Sequence, residues 1–211
     1  MKRIFFSSMA LILFVNAGFS QVRLGVTVGG NASNFTESGV IAPSDRSYKL
    51  GFQAGIVSDI GVTSHLSVIP ELLFSQRGSA YVSRFADTKS TVTTTLNYVQ
   101  MPVNLALKLP MGGRTKLMIF AGGYAAYGLS GQMNFEAKMN GQTTTDKEDL
   151  VFGSKENEVN PLDYGVNVGL GAQFWKSFVK LQYNLGLNSL YNGTAVALHN
   201  TNIALSLGCF F

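Results

Sequence analysis

The chain has 211 residues, enough for one domain that encloses a core or closes a sheet on itself. Only 13% of the residues are charged, about half the usual share for a soluble protein, and 23 are glycine. The formal net charge of +4 is too small to support nucleic-acid binding, and the absence of an 18-residue apolar run beyond the leader argues against a helical membrane protein.

Residues 1–20 read as a cleaved signal peptide: Lys2 and Arg3 open it, Ile4 to Val15 is apolar, and Gly18-Phe19-Ser20 is a small-x-small cleavage site. Cleavage there lowers the net charge from +4 to +2 and leaves a mature chain of residues 21–211. The one cysteine, Cys209, lies far from the cleavage site, so the chain is not a lipoprotein and has no intrachain disulfide.

Strand-period patterns fill the mature chain. In "VRLGVTVGG", Val22, Leu24, Val26 and Val28 oppose Arg23, Gly25, Thr27 and Gly29. After a polar stretch from Asn31 to Ser47, Leu50, Phe52, Ala54 and Ile56 oppose Lys49, Gly51, Gln53 and Gly55. A short connection leads to Leu66, Val68, Pro70, Leu72 and Phe74, which alternate with Ser67, Ile69, Glu71, Leu73 and Ser75. A second polar segment, Ser79 to Thr93, precedes Val99, Met101, Val103, Leu105 and Leu107 opposite Tyr98, Gln100, Pro102, Asn104, Ala106 and Lys108.

The tight "PMGGR" turn feeds "KLMIFAGGYAAYG", whose alternation is too poor to assign faces. The longest polar region, Ser130 to Asn160, reads as a loop. Then Leu162, Tyr164, Val166, Val168, Leu170, Ala172 and Phe174 oppose Asp163, Gly165, Asn167, Gly169, Gly171 and Gln173. A turn at Trp175 to Ser177 leads to Val179, Leu181, Tyr183, Leu185 and Leu187, opposite Lys180, Gln182, Asn184 and Gly186. The last strand sets Ile203, Leu205, Leu207, Cys209 and Phe211 against Asn202, Ala204, Ser206, Gly208 and Phe210.

These eight strands alternate long and short connections, and an even count with short turns on one side is the pattern of an outer-membrane barrel. The apolar face of the clean strands carries no charge, whereas Arg23, Lys49, Glu71, Lys108, Asp163 and Lys180 all share the polar face. A soluble barrel of the lipocalin kind inverts that arrangement, with charges outside. The expected fold is therefore all-β: an eight-stranded antiparallel up-and-down transmembrane β-barrel with short periplasmic turns and long extracellular loops, in the outer membrane of a Gram-negative cell.

Eight strands leave an interior that side chains fill. Arg23, Lys108 and Lys180 are candidate partners for Glu71 in a structural lumen cluster, with a proton or ion path through it as the alternative. His65 and His199 fall at opposite ends, so they form no dyad; His199 is the base of the remaining hydrolase alternative, for which no nucleophile motif is present. "GVNVGLG" places glycines at strand period, not at a phosphate-binding turn. Asp146, Glu148 and Asp149 lack the spacing of a Ca²⁺ loop. No cofactor, metal or catalytic residue is expected. The expected partners are outer-membrane lipid, the barrel-insertion machinery reading Phe211 on the closing strand, and proteins that meet the Ser130 to Asn160 loop.

Pro70, Glu71, Leu72 and Gly78 in "PELLFSQRG", Asn97, Tyr98 and Pro102 in "NYVQMP", the Gly-rich sixth strand, and Gly186, Leu187 and Leu190 occur in an order that resembles the PorT-like outer-membrane barrels of Bacteroidota. The resemblance spans essentially the whole mature chain. It implies a non-enzymatic barrel, structural or surface-interacting, of a family whose namesake serves type IX secretion and gliding, and it carries over no binding residue. Where many relatives have an Arg-Tyr pair this chain has Gln182-Tyr183, which leaves Lys180 to supply the inward charge.

Overall fold

The structure is a computed structural model and describes residues 22–37, 46–85, 88–139, 142–153, 155, 158–190 and 198–211. The expected signal peptide lies outside these residues. The described residues form nine strands in chain order: β1 (Val22–Glu37), β2 (Arg46–Gly61), β3 (Leu66–Phe85), β4 (Thr88–Gly112), β5 (Thr115–Met139), β6 (Gln142–Leu150), β7 (Leu162–Phe174), β8 (Ser177–Gly186) and β9 (Leu198–Phe210).

Eight of them close a ring in the order β4-β3-β2-β1-β9-β8-β7-β5, with β4 pairing β5 to complete it. Each neighbouring pair is antiparallel, and β9 returns to β1 from Gly25↔Phe210 to Glu37↔Leu198. The closed ring satisfies backbone groups where no water is at hand, the condition for crossing a bilayer with strands. Leu24, Val28, Ile56, Met101, Leu105, Val168, Leu170, Leu205 and Leu207 are all exposed on the outer wall. Their partners in the alternation, among them Glu71, Asn104, Lys108, Asn167 and Lys180, are buried inside.

The wall is not of even height. β4 and β5 have 25 residues each, against 13 in β7 and 10 in β8. About 9–11 residues suffice to cross a membrane on a tilted strand, so the loop ends of β3, β4 and β5 rise beyond the barrel and β6 joins them on the free side of β5. This corrects two expectations. The segment from Ser79 to Thr93 is mostly strand, and so is the first two-thirds of the Ser130 to Asn160 region. Threonine runs such as Thr93-Thr94-Thr95 and Thr143-Thr144-Thr145 read as polar, yet their branched Cβ suits a pleated surface.

A bulge marks the departure. Asn97 pairs Ser130 while Tyr98 pairs Gly128, so Leu129 is the extra residue, a feature common at barrel rims. The inward set on β5 accordingly switches from Met118, Phe120, Tyr124 and Ala126 to Gly131 and Met133. The faces of β5 were illegible because its inward side chains below the bulge are apolar, as its outward ones are.

Two prolines interrupt the ladder. Between Val57↔Glu71 and Ile60↔Val68 the β2–β3 pairing is interrupted opposite Pro70, with the register unchanged. Between Pro70↔Val103 and Leu73↔Gln100 the β3–β4 pairing is interrupted at Pro102, again with the register unchanged. Proline has no N–H to donate, so it leaves a gap in a ladder wherever its partner needs one.

The two-residue turns differ in one respect. Gly113, at the first central position between β4 and β5, has φ 57°, as glycine tolerates freely. Trp175 holds the same position between β7 and β8 with φ 55°, where a bulky side chain costs about 1–3 kcal/mol.

Candidate functional site

Among the described residues, three ion-paired groups and two apolar layers fill the lumen. Nearest the short turns, Arg23 and Lys108 both donate to the Asp59 carboxylate, and the Arg23 guanidinium lies 5.0 Å from the Phe210 ring centroid. Above it Val57, Ile69, Ala106, Met118, Phe120, Phe178 and Phe210 pack into an apolar layer. Lys180 then donates to Glu71 Oε1, and both side chains are buried.

Over this pair lies a belt of amides. Gln53 Nε2 donates to Ser206 Oγ at 2.9 Å and Gln182 Nε2 to Asn184 Oδ1 at 2.6 Å. Asn167, Asn184 and Asn202 are cross-strand neighbours on β7, β8 and β9. Higher still, Arg77 donates from Nη1 to Asp163 Oδ2 at 3.2 Å and from Nη2 to Gln100, and its guanidinium lies 5.1 Å from the Tyr124 ring centroid. Asn200 Nδ2 donates to the same Asp163 oxygen at 3.0 Å. Phe35, Leu96, Tyr98, Tyr124 and Ala126 cap the loop end, joined by Val159 and Leu190 from the connections.

The four expected lumen residues therefore do not form one cluster. Glu71 and Lys180 meet each other, while Arg23 and Lys108 meet Asp59 nearer the turns. Lys180 supplies the inward charge on β8, two residues before Gln182. Asp59 and Arg77 were missed, although the same alternation finds them. Asp59 continues the inward set Lys49, Gly51, Gln53, Gly55 and Val57, and Arg77 continues Glu71, Leu73 and Ser75.

His65 is exposed at the short turns, its Nδ1 2.8 Å from Ser64 Oγ. His199, at the other end, has Nδ1 3.0 Å from the Asn188 carbonyl oxygen. On β6 the alternation puts Asp146 and Glu148 on one face and Asp149 on the other, where Gln132 Nε2 donates to it at 3.4 Å. No group of three His, Cys, Asp or Glu side chains suited to a metal ion exists among the described residues.

On the raised sheet, residues directly opposite share a face. Tyr81, Val92, Phe135 and Asp146 form one such row across β3, β4, β5 and β6. Ser79, Thr94, Met133 and Glu148 form the next one down, on the face continuous with the lumen. Tyr81 and Phe135 are both exposed.

Phe211 stands on the outer wall at the turn rim, 74% exposed, with its N–H donating to Leu24 O at 2.8 Å. Cys209 points the same way and is half-buried in the wall.

A closed ring of eight strands, apolar outside and ion-paired inside, defines an outer-membrane β-barrel, and the protein resides in the outer membrane. The chain belongs to the outer membrane protein beta-barrel domain family, whose model matches residues 14–192. Among solved structures it is similar to the attachment invasion locus protein Ail of Yersinia pestis, at 13% identity and a TM-score of 0.42, over 90% of this chain and 99% of that one. Neisserial surface protein A matches at 8% identity and 0.44, over 89% and 97%. The N-terminal barrel domain of Pseudomonas aeruginosa OprF matches at 12% and 0.33, over 90% and 100%. No curated protein matches the chain.

Proposed function

We propose that this barrel is a non-enzymatic surface-interaction component, in which the wall anchors a raised contact sheet and the lumen is a structural plug. The observation that carries this is the unequal wall: β3 to β6 extend beyond the barrel and present Tyr81 and Phe135 to solvent. A channel has no need of such a sheet, and stacked ion pairs and apolar layers in the lumen favour a plug over a pore. Aromatic side chains on rigid strands give contact area at little entropic cost. The resemblance to PorT-like barrels extends the proposal to a place in a secretion or gliding assembly.

Affinity purification from outer membranes tests the reading. Partner proteins are expected with the intact chain and lost when residues 132–149 are replaced by a tight turn. The same proteins captured by both forms would remove the sheet as the contact element.

We also propose that the barrel-insertion machinery reads the closing strand through Phe211. Deleting Phe211 is expected to reduce the inserted fraction in cells several-fold while leaving the unfolding midpoint of inserted protein nearly unchanged. Equal losses in both measurements would assign Phe211 to stability alone.

A further inference from the structure

The short-turn rim carries a charge imbalance that the plug and the raised sheet leave unexplained. Arg23, Lys108, Arg114, Lys116 and Lys176 all lie near it, against one acidic side chain among the described residues, Asp59. Asp59 is already held by Arg23 and Lys108. Arg114, Lys116 and Lys176 form no salt bridge among the described residues.

Two of these cations converge on one ring. The Arg114 guanidinium lies 5.5 Å from the Trp175 ring centroid and the Lys176 ammonium 5.7 Å from it. The backbone fixes this grouping. The Trp175 N–H donates to Arg114 O at 3.0 Å, joining two turns, and Gln173 Nε2 donates to Trp175 O at 2.8 Å. The ring itself is 61% exposed and follows Phe174, the last lipid-facing residue of β7. It thus stands where the apolar band ends, at the level of the headgroups.

The backbone makes the tryptophan harder to explain by packing alone. Gly113 shows what this turn position asks for, and Trp175 occupies its counterpart at nearly the same positive φ. A residue kept against its backbone preference points to a role for its side chain.

We propose that Arg114, Trp175 and Lys176, with Lys116 beside them, bind the phosphate groups of anionic phospholipids in the leaflet that the short turns face, which in an outer-membrane barrel is the periplasmic one. The guanidinium and ammonium groups pair with phosphate, and the indole sits among the upper acyl chains and glycerol backbone. Charge selects the occupant: three cations without a salt-bridge partner, and no exposed acidic side chain among the described rim residues, suit an anionic surface.

Trp175 is the only tryptophan in the chain, so its fluorescence reports on its own surroundings. The full mature barrel is reconstituted in phosphatidylethanolamine vesicles containing equal mole fractions of either brominated phosphatidylglycerol or brominated phosphatidylcholine, the bromines acting as quenchers. Each basic side chain near the surface enriches an anionic lipid about five-fold, so the phosphatidylglycerol vesicles are expected to quench Trp175 more strongly. The excess is expected to vanish in the variant carrying Arg114→Gln and Lys176→Gln. It is also expected to collapse for the unaltered protein in about 1 M salt, where screening shortens to about 3 Å. The salt arm stands even if the double variant fails to fold. Equal quenching by the two lipids would overturn the proposal and leave the rim to an acidic protein partner. An excess that survives both the substitutions and the salt would overturn it as well.

Discussion

Replacing Asp163 with alanine is expected to destabilise the barrel by about 3–5 kcal/mol, because it strands a buried cation. The Arg77 side chain has no solvent exposure, and Asp163 is its only anionic partner among the described residues. Gln100 and Ser75 supply neutral acceptors, and the Tyr124 ring adds a weaker contact, but none of these balances the guanidinium charge. Urea titration of protein refolded in lipid vesicles, followed by the mobility shift of folded barrel on gels, measures the change. The double substitution Arg77→Met with Asp163→Leu removes both charges and is expected to recover more than half of the loss, since apolar pairs of similar volume often equal a buried ion pair. A midpoint for Asp163→Ala within about 1 kcal/mol of the parent would mean that water reaches Arg77 and the upper lumen is not a dry plug.

The second large effect concerns the outer wall. Val168 lies midway along β7 with its side chain outward, and arginine there is expected to cost about 2–4 kcal/mol in the same titration. The cost arises from moving a charge into hydrocarbon, so the same substitution in a detergent micelle, whose interface adapts, should cost less. An unchanged midpoint in vesicles would place the β7 mid-wall outside the hydrocarbon layer.

Those two tests address the two faces that the sequence already separated. Along β7, the outward run from Leu162 to Phe174 and the inward run from Asp163 to Gln173 were readable because one face meets lipid and the other meets polar groups. Where that contrast failed, so did the reading. On β5 the inward Met118, Phe120 and Tyr124 belong to apolar layers of the plug, so both faces look alike. Above the membrane the contrast lapses for a different reason. Both faces of β6 are exposed, so no periodicity distinguishes strand from loop there.

The charge pairing was legible only in part. Parity shows that Glu71 and Lys180 point inward, but which cation meets which acid depends on how the register winds around the ring. The line of directly paired residues runs from Ile60 through Val68, Leu105, Ala121, Val168, Tyr183 and Ile203 to Ala32 and Leu50. It begins near the short turns and ends near the loops, as the stagger of a closed sheet requires. Height in the lumen is thus a property of the whole ring, and no single strand encodes it.

The lapses at Pro70 and Pro102 have a mechanical meaning. A barrel wall resists tearing as a hoop does, through rungs that share any tension around its circumference. Rungs are missing on both sides of β3 at nearly the same height, so stress applied there falls on fewer bonds than along the unbroken pairing of β7 with β8 and β9 with β1. The wall should split first along β3 when it is heated or pulled, and deuterium should enter the amides of Ser58 and Glu71, which face Pro70 and Pro102 across the gaps, before those of Val168 and Leu205. A barrel sealed by its plug would then still have a defined place to open.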